Sequence, residues 1–136
     1  MKKPIFSLLL LLLILLQFSC KKGEVSAETE IFGSWILNSI SELKSGKNDV
    51  LPDNKIVTVE FTKDWKITEK YINTNSTEYS FAFSGSEFDI EDATSIRIIN
   101  LASATAGGYL FTIKKLDGKS LILEREQGST YEFSRK

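Results

Sequence analysis

From Ile31 onward the apolar residues of this chain fall two apart. Val57, Val59 and Phe61 alternate with Thr58 and Glu60, and Trp65 and Ile67 alternate with Lys66 and Thr68. Tyr79, Phe81 and Phe83 are separated by Ser80 and Ala82, and Phe88 and Ile90 stand among Glu87, Asp89 and Glu91. Tyr109, Phe111 and Ile113 follow the same rule, as do Tyr131 and Phe133. A period of two puts successive side chains on opposite faces of a sheet, one dry and one wet. The β-branched and aromatic residues in these runs favour strands over helices.

The runs are separated by turn-forming stretches at Lys63-Asp64, Asn73 to Ser76, Ser84-Gly85-Ser86, Asp92-Ala93-Thr94, Asp117-Gly118 and Gln127-Gly128. Asp-Gly suits a tight hairpin because both central positions tolerate φ > 0. No strand–helix–strand spacing appears, so parallel pairing is not expected. Eight or nine short strands joined by short links predict an all-β, antiparallel up-and-down meander, closed into a barrel that removes its edges. Two connections are longer. Residues 41–54 hold Pro52, and residues 102–108 (ASATAGG) are small and glycine-rich. At a barrel rim each is either a lid over an opening or a plain solvated linker.

Composition removes several chemistries. The chain has no His, which excludes Ser-His-Asp and Cys-His nucleophile sets and His-based zinc sites. One Cys excludes an internal disulfide and a CxxC redox centre. With 17 basic against 18 acidic residues, the net charge of −1 argues against a protein built mainly to hold nucleic acid. Gly118-Lys119-Ser120 copies the end of a phosphate-binding loop, but Ile113 stands where its first Gly belongs. Glu87, Asp89, Glu91 and Asp92 form the densest acidic group. Glu87, Asp89 and Glu91 lie opposite Phe88 and Ile90, which predicts a solvated face, and no EF-hand spacing accompanies the group. Asn75-Ser76-Thr77 has the form of a glycosylation acceptor, a three-residue match of low specificity. Neither a metal nor a cofactor is expected, and the chain is read as a non-enzyme.

The N-terminus is of another kind. Lys2-Lys3 precedes a twelve-residue run from Ile5 to Leu16 broken only by Ser7, and Gln17-Phe18-Ser19-Cys20 follows. The run is shorter than the roughly 20 residues of a membrane-spanning helix and has the proportions of a signal-peptide core. Ser19-Cys20 resembles the lipobox of bacterial lipoproteins, and Gln17 at −3 resembles the looser lipoboxes of the Bacteroidota. The resemblance implies cleavage after residue 19, acylation of Cys20 and anchoring to the outer membrane, on a face the sequence leaves open. Residues 20–30 are polar and read as lipidated Cys and tether, leaving 31–136 as the folded domain.

Within that domain, Gly33-Ser34-Trp35-Ile36-Leu37 resembles the Gly-x-Trp start of lipocalin-like domains, whose Trp closes one end of an eight-stranded barrel. Val59-Glu60-Phe61-Thr62-Lys63-Asp64 resembles the second-strand segment of small bacterial lipocalin-like lipoproteins, with Trp65 where that family commonly has Gly. Leu121 to Arg125 and Tyr131 to Arg135 resemble their last two strands. The resemblance implies that Arg135 packs across Trp35, and it makes Gly33, Trp35 and Arg135 the barrel-closing set. Trp35, Phe61, Trp65, Tyr79, Phe81, Phe83, Tyr109 and Phe111 then become candidates to line the interior or touch a ligand. An eight-stranded barrel is wide enough either to be filled by its own side chains or to hold one small ligand. The leading expectation is a monomeric, membrane-tethered module that binds a small apolar ligand in or at the mouth of its barrel. The alternative is a filled barrel acting as an envelope scaffold, inhibitor or protein-interaction subunit.

Overall fold

The structure, a computed structural model, describes residues 27–75, 78–100, 108–126 and 128–136. It opens with one helical turn, α1 (Ala27–Ile31), at the end of the segment expected to be tether. Nine strands follow: β1 (Gly33–Glu42), β2 (Asn48–Val50), β3 (Ile56–Phe61), β4 (Ile67–Ile72), β5 (Glu87–Asp92), β6 (Ser95–Ile99), β7 (Tyr109–Leu116), β8 (Ser120–Arg125) and β9 (Ser129–Arg135). They form one antiparallel sheet in the order β4-β3-β1-β9-β8-β7-β6-β5, with β2 attached to β1. The fold is therefore all-β and a meander, except that β9 returns to pair with β1.

The end strands β4 and β5 meet at one end of the curled sheet only, through the antiparallel bridge Lys66–Glu87. There the Ile67 amide donates to the Ser86 carbonyl (2.9 Å), the Gly85 amide to Ile67 (2.8 Å) and the Phe88 amide to Trp65 (2.9 Å). Alternation along the strands builds the core as predicted. Trp35 and Leu37 on β1, Val57, Val59 and Phe61 on β3, and Leu121 and Leu123 on β8 are buried.

Three local expectations fail for identifiable reasons. Residues 79–84 carry the strand pattern but form no strand. Ala82 adopts φ +62 and Gly85 φ +82, which bend the chain out of the extended range. Side chains take the place of a ladder: the Ala82 amide donates to Ser80 Oγ at 2.7 Å and the Phe83 amide to Glu69 Oε1 at 2.8 Å. Trp65 does not begin β4 facing inward; it sits in the β3–β4 turn at φ +63, 36% exposed. A three-residue hairpin loop ends in a left-handed residue, normally Gly, and here the chain puts Trp there. The Asp117-Gly118 turn uses no positive φ. Asp117 Oδ1 instead accepts the amides of Lys119 and Ser120, each at 2.8 Å.

Candidate functional site

At the base of the barrel, α1 ends on Ile31 and leaves carbonyl groups without helical partners. Trp35 Nε1 donates to the Ile31 carbonyl at 2.8 Å. Arg135 donates through Nη1 to Phe32 at 2.9 Å and through Nη2 to Glu30 at 2.7 Å. A cation suits the negative end of a helix. The same guanidinium lies 3.9 Å from the centre of the Trp35 ring. Gly33, at φ +119, leaves the space: a Cβ there would stand 2.9 Å from Arg135 Nη1. Gly33, Trp35 and Arg135 thus join α1, β1 and β9 at one point.

The interior is aromatic. Phe81 is completely buried, with ring centres 5.1 Å from Tyr131, 5.4 Å from Phe133, 5.8 Å from Phe111 and 6.2 Å from Phe61. Phe83 lies 4.9 Å from Phe81 and 5.4 Å from Phe111. Side chains of β3, β7 and β9 therefore close around two rings delivered by a segment outside the sheet. Of the sequence-predicted candidates, Trp35, Phe61, Phe81, Phe83 and Phe111 come together in the core. Tyr79 and Tyr109 stay half-buried, Tyr79 with Lys55 Nζ 5.8 Å from its ring centre and Tyr109 with the Arg125 guanidinium at 4.1 Å. Trp65 lies at the base beside Phe32 and Phe88, each 5.4 Å away. Cys20 and most of the 102–108 loop lie outside the described residues.

What holds the Phe81 segment was missed at the level of sequence. Glu69, on the inward face of β4 between Ile67 and Tyr71, accepts hydrogen bonds from the Phe83 amide, the Tyr71 hydroxyl and Ser80 Oγ. Burial, and then the bond to Glu69, pushes the Tyr71 phenol up to about 12. An acidic residue at an inward position of an alternating strand was the available signal.

The 41–54 connection is not a free lid. Its β2 part pairs with β1, and the Leu51 amide donates to the Asn38 carbonyl at 2.8 Å, with Leu51 buried. Where the chain leaves β1 for β3, an open groove of about 370 Å³ forms on the outward side of β1, lined by Ile36, Asn38, Val50, Pro52, Asp53 and Lys55, among others. Glu87, Asp89, Glu91 and Asp92 are exposed, as predicted. Glu91 pairs with Arg97, and Asp92 caps its turn by accepting the Thr94 amide at 2.7 Å, which holds its carboxyl below the usual range. Among the described residues no group of His, Cys, Asp and Glu could hold a metal. Gly118-Lys119-Ser120 lies in a hairpin between β7 and β8, not between a strand and a helix.

No family model and no curated protein matches this chain. Among solved structures it is similar to a lipocalin-like protein from Bacteroides uniformis, with 15% identity and a TM-score of 0.44 over 79% of this chain and 99% of that one.

Proposed function

We propose that the protein is a non-enzymatic lipoprotein of the bacterial outer membrane, held by acylated Cys20, whose barrel is a filled scaffold that acts through its outer surface on a protein partner. The observation that carries this reading is Phe81, which occupies the volume where an open barrel of this size would hold its ligand. The sequence supports the anchor: a basic start, a short apolar run, and a small residue before the one Cys. One acyl chain binds a membrane only marginally and two hold stably, so a multiply acylated Cys20 suffices as the anchor.

A second reading, binding of a small apolar molecule, is favoured by the groove beside Val50 and Pro52, whose volume of about 370 Å³ suits a small ligand. Titration of the native protein with an apolar fluorescent probe separates the two. A filled scaffold takes up no probe saturably, whereas Phe81→Ala opens the interior to it and costs about 3–5 kcal/mol of stability. One-to-one uptake by the unsubstituted protein, abolished by Val50→Asp, would replace the first reading with the second.

A further inference from the structure

We infer that the base of the barrel rests on the lipid surface, with Trp65 seated at the boundary between headgroups and acyl chains. The inference rests on the lipid-anchor reading above and adds to it an orientation and a contact surface. Seven residue steps separate Cys20 from Ala27, where the described chain begins. Whatever their conformation, they span at most about 25 Å, so the end of the barrel that carries α1 is held near the bilayer. That end is the base: Phe32, next to α1, packs its ring 5.4 Å from Trp65.

The base presents what a headgroup layer accepts. Trp65 is 36% exposed at a turn position that favours glycine, so an aromatic ring is placed outward at a conformational cost. Indole rings favour the membrane interface, where an apolar body and a polar N–H are both accommodated. Exposed Lys63 and Lys66 flank it in the same turn, and exposed Lys119 and Lys136 stand in the neighbouring β7–β8 turn and at the end of β9. Long lysine stems let their ammonium groups reach phosphates while the ring sits deeper. Asp64 and Glu87 are interspersed, so the ring and the tether, not net charge, set the orientation. Among the described residues the other large exposed apolar side chains lie away from the base: Leu43 (82%) just past the end of β1, Val50 (66%) on β2 opposite Ser39, and Ile72 (51%) at the far end of β4.

The test uses the full chain purified from membranes and reconstituted into vesicles of phosphatidylcholine and phosphatidylglycerol with brominated acyl chains. Trp35, wholly buried, provides the unquenched background, and these two are the chain's only tryptophans. Roughly half of the tryptophan emission should be quenched by bromine placed at the interface. Trp65→Leu should abolish the quenching with the protein still vesicle-bound, and Leu43→Ala should leave it unchanged. Emission that the brominated lipid leaves unaffected overturns the inference. Intact-mass measurement of the same sample keeps the two failures apart. An unacylated Cys20 removes the anchor and this inference with it, whereas an acylated protein with unquenched Trp65 removes the inference alone.

Discussion

Two segments outside the sheet are fastened to this barrel, by opposite chemistries. At the base, the cation of Arg135 donates to the carbonyls of Glu30 and Phe32 and covers Trp35. At the gap between β4 and β5, the anion of Glu69 accepts the amide of Phe83 and the hydroxyls of Tyr71 and Ser80. The base joins α1, β1 and β9 across about a hundred residues, while Glu69 reaches only 14 residues along the chain. Arg135 therefore ties together segments distant in the chain, and Glu69 decides what fills the inside of the curled sheet.

The largest expected effect falls on the base. Arg135→Ala removes two charge-assisted hydrogen bonds and a cation–π contact, about 3 kcal/mol in all, and Arg135→Lys recovers less than half because an ammonium cannot fork to two carbonyls. Urea denaturation measures both; equal stability of the Ala and wild-type chains would end the contrast. Glu69→Gln keeps the size but weakens the acceptor, at about 1 kcal/mol. It should also lower the Tyr71 phenol from about 12, read by ultraviolet titration of tyrosinate. For Tyr71 the folded value is raised, so its contribution is complete below the ordinary value of 10.0 and is lost as pH climbs toward 12. The smallest effect belongs to Asp117. Its carboxyl is held below the ordinary 3.8 by the Lys119 and Ser120 amides. The stability it adds is present above that value and fades as pH falls below it, which a comparison of wild type with Asp117→Ala at pH 7 and pH 3 detects.

The two fastenings also differ in how far they could be read from sequence. The pattern Gly33-x-Trp35 and Arg135 near the end of β9 pointed to the base, and period-two alternation located the strands built around it. The same alternation misplaced residues 79–84, because Phe81 and Phe83 are apolar for the same reason as strand residues: they are buried. Periodicity reports burial and not hydrogen bonding, so it could not show that a side-chain carboxylate had replaced a strand partner. Trp65 was misplaced similarly, since nothing in alternation registers a left-handed turn residue. Asp117-Gly118 was correctly located as a turn, but its work is done by the carboxylate of Asp117 and not by glycine's freedom.

The pairing of β1 with β9 has a kinetic consequence. Trp35 faces Arg135 in the ladder, a hundred residues along the chain. Loop-closure entropy must be spent before that ladder forms, and chains dominated by such distant pairings fold slowly. Until β9 arrives, β1 lacks one neighbour and α1 lacks the guanidinium that covers its carbonyls. The hairpins β3–β4 and β5 to β8 pair neighbours in the sequence, so the seam between β1 and β9 is the step that waits on the whole chain.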